Sequence, residues 1–201
     1  MNVCDGYADL KCNIMKSFKP SAWVLPQPVF IIGTYNEDGT PNAMNAAWGG
    51  QWDHNEVFVS LGSHATTDNL NRNGVFTLSF ATAATLPAAD FVGVVSGRKD
   101  PDKMVKTGWK SHKGESVDAP VFECFPLTME CRVKEKIQES ESGFYLVGEI
   151  LNIVCDGAYL DENGRPDVEK MGLITFDPIG NGYIELGKRV GNAFRDGLAL
   201  K

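Results

Sequence analysis

The strongest constraint on this chain is a rhythm of short apolar stretches, each too brief for a long helix and most closed by a turn signal. Pro28-Val-Phe-Ile-Ile-Gly-Thr-Tyr35 is β-branched and aromatic, and Asn36-Glu-Asp-Gly39 follows it. An Asp-Gly pair between two such stretches reads as a hairpin, because glycine accepts positive φ. The return strand is expected over 41–48, where Gly49-Gly50 follows, and further strands over 56–61 and 74–80. Strand signals resume at 127–133, 144–154, 172–176 and 183–186. Roughly seven strands at a spacing of about 8–12 residues, with helices inserted, point to a β-barrel rather than a wound parallel sheet.

The inserted helices carry their own punctuation. A short one is expected over 66–73, with Thr66, Thr67 or Asp68 as N-cap and Gly74 as the stop. Another spans 86–95, opened by Pro87, and a third 100–106, with Pro101 in its first turn and Gly108 closing it. A last helix is expected over 188–195. Residues 1–19 read as an arm. With no repeat, low-complexity tract or linker, the 201 residues are expected to form a single domain around one core. The regular strand–glycine turn–helix alternation of a dinucleotide-binding domain is missing, as is any GxGxxG, so a nicotinamide nucleotide would have to bind without that module.

Composition narrows the partners. A formal net charge of −7 argues against nucleic acid, which needs a concentrated basic face. No stretch approaches the roughly 18 consecutive apolar residues of a membrane span. The first twelve residues lack the basic start and apolar stretch of a secretory signal, so a cytoplasmic protein is expected. Cys4, Cys12, Cys124, Cys131 and Cys155 are odd in number and widely spread, which suits reduced thiols better than an oxidised scaffold. Cys4 and Cys12 near the start are either redox-responsive or incidental. His54, His64 and His112 are scattered, and no metal site is expected.

Chemistry concentrates in two segments. Asn42-Ala-Met-Asn-Ala-Ala-Trp48 is odd for a strand, because alanine and asparagine are poor strand formers. Its small residues either leave the backbone open to a flat ring or relieve a crowded barrel wall. Asn42, Met44, Ala46 and Trp48 share one face and Ala43, Asn45 and Ala47 the other, and periodicity does not choose between them. In Ser60-Leu-Gly-Ser-His-Ala-Thr-Thr-Asp-Asn-Leu70, a strand ends and a helix starts. Unpaired N–H groups and the positive end of the helix dipole make such a start an anion site. Ser63, Thr66 and Thr67 add hydroxyls, and His64 a donor or a charge. An ordinary cap would explain the threonines but does not require Ser-His before it.

These residues carry a resemblance. The stretch 28–80 resembles the flavin reductase-like, flavoredoxin-type family: a strand, an Asp-Gly turn with Pro-Asn after it, a small-residue strand ending in Trp, and a Ser/Thr-rich loop before a short helix. Asp90-Phe-Val-Gly-Val-Val-Ser-Gly-Arg98, Asp102-Lys-Met-Val-Lys-Thr-Gly108, Asp118-Ala-Pro-Val-Phe-Glu-Cys124, Met129-Glu-Cys131 and Leu186-Gly-Lys-Arg-Val-Gly-Asn-Ala-Phe194 extend the match over about 28–197. Each motif is weak alone, and their order and spacing make the likeness specific.

The resemblance implies a mainly β fold with short helices, a six-stranded Greek-key split β-barrel of the FMN-binding type. It implies a homodimer with one FMN per subunit near the interface. The isoalloxazine would lie against Asn42, Ala43, Met44, Asn45, Ala46, Ala47 and Trp48, with backbone near Ser60 and Leu61 at its pyrimidine edge. Ser63, His64, Thr66 and Thr67 would hold the phosphate. Lys103 and Arg98 would offset phosphate or reduced-flavin charge, or else be solvated surface cations. Met44 departs from the Thr or Ser that many relatives carry, so a backbone N–H would replace a hydroxyl near flavin N5. The implied activity is reduction of flavin, or of an acceptor it serves, by NAD(P)H. The flavin does the chemistry, and no catalytic acid, base or nucleophile is singled out. Two rivals stand: a flavoredoxin-type electron carrier reduced by a partner protein, without a nicotinamide site, and a non-redox binding module.

Overall fold

A computed structural model describes residues 15–140 and 143–201, with the side chains of 138–140 left aside. Cys4 and Cys12, and most of the expected arm, lie outside the described residues. After a two-residue strand β1 (Gln27–Pro28), the hairpin signalled by Asp38-Gly39 forms between β2 (Phe30–Tyr35) and β3 (Pro41–Ala46). Gly39 takes φ 79°, the left-handed conformation that this turn requires. Next come β4 (Gly49–Asp53), β5 (Glu56–Gly62), helix α1 (Ala65–Asn73) and β6 (Val75–Phe80). Helices α2 (Leu86–Val94) and α3 (Lys103–Thr107) and a small hairpin of β7 (Ser111–Lys113) and β8 (Pro120–Phe122) follow. Two long strands, β9 (Leu127–Ser140) and β10 (Gly143–Cys155), lead to β11 (Ile174–Asp177) and β12 (Gly182–Glu185).

Seven strands form one antiparallel sheet in the order β3-β2-β6-β9-β10-β5-β4. Its two edge strands are consecutive in the chain, separated only by Ala47 and Trp48. At that corner the Ser60 N–H donates to the Trp48 carbonyl at 2.7 Å. The sheet therefore curls until its edges meet, and β3 with β4 acts as one bent strand of a six-stranded barrel. The mainly β, split-barrel expectation holds. Strands β1, β11 and β12 form a separate three-stranded sheet.

Side-chain alternation divides the core in two. Phe30, Ile32, Met44, Ala46, Val59, Leu61, Phe76, Leu78, Cys131 and Leu146 fill the barrel. Ile31 and Ala43, on the opposite faces of β2 and β3, join Ala89 and Val92 of α2 with Phe122 and Phe125 in a second cluster. Both faces of β3 are thus covered, which gives its alanines a packing role on either side. Cys124, Cys131 and Cys155 are free thiols, and burial pushes Cys131 up to about 12. No helix among the described residues is long and apolar enough to cross a membrane.

Four local expectations are corrected. The return strand expected over 41–48 ends at Ala46, and Gly49-Gly50 opens β4, where no strand was expected. Helix α1 starts at Ala65 with His64 as N-cap, two to four residues before Thr66, Thr67 or Asp68. Helix α3 begins at Lys103, leaving Pro101 in the preceding turn. Residues 188–195 are not helical. Only a 3₁₀ turn at Asp196–Leu200 forms there, because that segment has no face to bury an amphipathic helix against.

Candidate functional site

The start of α1 is held by its own residues. The Thr67 hydroxyl accepts from the His64 N–H at 2.9 Å and donates its proton to the His64 carbonyl at 2.7 Å. Thr67 is therefore committed to capping. Thr66 is buried, and its hydroxyl oxygen accepts from Asn42 Nδ2 at 2.8 Å, tying the helix start to β3. Farther along α1, Asn69 Nδ2 donates to Thr34 Oγ1 at 3.0 Å and Asn36 Oδ1 at 2.9 Å, fixing the helix against the β2–β3 hairpin. Thr66→Val should leave the buried Asn42 amide short of an acceptor and cost about 1–3 kcal/mol, read as a lower denaturant midpoint with unchanged slope.

Positive charge gathers at this helix start. Arg98 donates through Nη2 to Asp68 Oδ2 at 2.7 Å and to the His64 carbonyl at 3.2 Å, and both its Nη atoms stand 3.4 Å from Ser63 Oγ. Lys103 is only 4% exposed, and its Nζ donates to the Ala43 carbonyl at 2.7 Å. Burial pulls the Lys103 pKa down to about 8. Partial desolvation, and after it the Arg98 and Lys103 charges, holds the His64 imidazole below its usual pKa. His64 is thus a neutral donor or acceptor near pH 7, while Arg98 and Lys103 carry the charge.

Two hollows adjoin this cluster. A recess of about 120 Å³ is lined by Asn42, Met44, His64, Ala65, Thr66, Lys103 and the 92–97 segment after α2. A cleft of about 830 Å³ shares Asn42, Ala65, Gly97 and Lys103 with it and extends past Arg98, Met104 and Trp109 to the 36–38 turn. Gly97 permits the junction, since a Cβ there would stand 3.0 Å from Asn42 Oδ1. The larger cleft has the size of a small-molecule or cofactor site, which runs from about 300 to 1,000 Å³.

A profile of the family described as flavin reductase like domain matches residues 23–167. The chain belongs to the flavin reductase-like family. A solved structure of flavoredoxin from Desulfovibrio vulgaris (Miyazaki F) is 32% identical, with a TM-score of 0.85 over 92% of this chain and 100% of that one. Flavoredoxin from Methanosarcina acetivorans is 28% identical, with a TM-score of 0.82 over 93% and 100%. An FMN-binding protein from Thermus thermophilus, 18% identical, shares the fold with a TM-score of 0.71 over 91% and 99%. No curated protein matches the chain.

Within this flavin reductase-like fold the expected site residues separate. Asn42, Met44, His64, Thr66 and Lys103 line one recess, with Ser63 beside it on Arg98. Ala43, Ala46 and Leu61 are buried in packing. Asn45 turns toward α2, donating from Nδ2 to the Ala89 carbonyl at 3.1 Å. Ala47 is buried at the barrel corner, and half-buried Ser60 faces it through its bond to the Trp48 carbonyl. Trp48 lies outside both hollows, 60% exposed with its ring 6.2 Å from that of Phe176. Gly97, Trp109 and the 36–38 turn line the cleft but were not among the expected site residues. For Gly97 a signal existed: glycine between an apolar helix and an arginine marks a close backbone approach.

Proposed function

We propose that the chain is an FMN-binding oxidoreductase that accepts hydride from NAD(P)H and passes the electrons to free flavin or to an acceptor the flavin serves. The observation that carries this reading is the buried Lys103, which shares the wall of a cofactor-sized cleft with Arg98 and with Ala65 at the α1 start. This donor set fits a phosphate, which needs charge and N–H donors together. FMN supplies the ring that accepts hydride. The chain's residues do the holding: Lys103 and Arg98 attract the anion, Asn42 and Thr66 keep β3 and α1 at a fixed spacing, and neutral His64 contributes a hydrogen bond. The cytoplasm is the proposed setting, and a pair of identical subunits the working form, because a monomer leaves Trp48, Trp52 and Ile153 half in solvent.

The likeness to flavoredoxins favours a second reading, an electron carrier without a nicotinamide site. Stopped-flow mixing of the FMN-loaded protein with NADH and with NADPH separates the two. Loss of the oxidised flavin band with either nucleotide supports the reductase. Reduction by a ferredoxin-like donor alone supports the carrier, and failure to bind FMN removes both.

A further inference from the structure

The segment 187–201, after β12, carries large apolar side chains that touch almost nothing. Val190 is 103% exposed, Phe194 100% and Leu200 83%. A chain does not normally leave a series of such groups in water. The base of the segment is nevertheless fixed. The Leu186 N–H donates to the Leu173 carbonyl at 2.8 Å, and the Arg189 N–H to Glu169 Oε1 at 2.9 Å. Leu186 lines an apolar groove of about 550 Å³, whereas Glu169 does not, so the segment leaves the rim of that groove instead of crossing it.

The groove and the segment match in chemistry. Phe30, Phe80, Met129, Ile150 and the 52%-exposed Ile153 give the groove an apolar lining, with exposed Asp53 at its edge and Glu56 already paired with Lys134. The segment alternates large apolar groups with Lys188, Arg189, Arg195 and Lys201, against a single acid, Asp196. It is a basic strip on a chain whose net charge is −7. Fifteen residues reach up to roughly 50 Å when extended, enough to cross to a neighbouring molecule. A groove and a complementary strip on the same chain, with the strip directed outward, are satisfied twice over by a two-fold pair.

We infer that two copies of this chain exchange their 187–201 segments, each laying Val190 and Phe194 into the apolar groove of the other. The inference rests on the pairing proposed above and goes beyond it by naming what docks where. Two variants test it by sedimentation equilibrium at micromolar concentration. Val190→Asp with Phe194→Asp spoils the segment and leaves the groove; Ile153→Glu spoils the groove and leaves the segment. All three positions are solvent-exposed in the single chain, so each variant should fold. The unaltered chain is expected as a dimer, and each variant alone should pair at least about 30-fold more weakly. Mixing the two variants should restore part of the association, because one intact segment then finds one intact groove. Variants that pair as tightly as the unaltered chain, or a mixture no tighter than its components, overturn the exchange while leaving dimerisation standing. A monomeric unaltered chain overturns both.

Discussion

Lys103→Met is expected to weaken FMN binding by roughly ten- to a hundredfold while leaving the fold as stable as before or more so. The first half follows from charge: a hydrogen bond to an ionised partner contributes about 1.5–3 kcal/mol, and about 1.4 kcal/mol is a factor of ten. The second half follows from burial. Lys103 is 4% exposed, with one carbonyl acceptor, and its pKa falls to about 8 against an ordinary 10.5. Holding that ammonium charged in the folded chain costs stability, on the order of 3 kcal/mol at pH 7. Methionine removes the cost, and against it loses the bond to Ala43, about 1 kcal/mol. A lysine with no part in binding would give the same stability change and leave FMN affinity unchanged.

The pH dependence carries a sign that can be checked separately. Because the folded pKa of this base lies below its unfolded value, the unfolded chain binds the proton more tightly between about 8 and 10.5. Stability should therefore rise with pH across that window, the penalty being complete below it. FMN affinity should move oppositely, falling as pH rises through 8 and the ammonium is lost. Calorimetric titration near pH 8.5 in two buffers of different ionisation enthalpy should show proton uptake on FMN binding. That uptake should vanish in Lys103→Met. Uptake of the same size in the variant would assign it to another group.

The sequence showed the barrel more plainly than the site, and the reason is the range over which each is encoded. Strands such as β2 and β6 declare themselves through continuous apolar residues and adjacent turn signals, all local. Strand β4 was hidden because Gly49 serves close approach rather than a turn. A Cβ there would stand 2.6 Å from the Phe58 carbonyl oxygen and 2.9 Å from the Phe30 ring. The residues after Val133 continue β9 although all but Ile137 are polar, since their partner strand, not their own pattern, keeps them extended. At the site, the threonines were visible but their roles were not. Thr67 is consumed by capping and Thr66 by Asn42, distinctions that depend on where β3 passes. Lys103 sits in a charged run and looks like a surface residue. It is buried because α3 packs beside β3, which brings the Lys103 ammonium to the Ala43 carbonyl.

The barrel interior yields the largest expected loss of stability. Phe76 on β6 is fully buried, and its ring reaches across β9 to cover Gly148 on β10. A Cβ on Gly148 would lie 2.5 Å from Phe76 Cζ, so the glycine is the space the ring occupies. Phe76→Ala should cost about 3–5 kcal/mol, a large part of the about 5–15 kcal/mol that keeps a domain folded. Gly148→Ala should cost about 1–3 kcal/mol by overpacking. The two sites share one volume, so their effects should not add. Placing Phe76→Leu in the Gly148→Ala background should recover part of the loss, with a coupling of about 0.5–3 kcal/mol in denaturant unfolding. Additivity within about 0.5 kcal/mol would mean that the ring and the glycine do not compete for that space, and that something other than Phe76 requires a glycine at this register shift in β10.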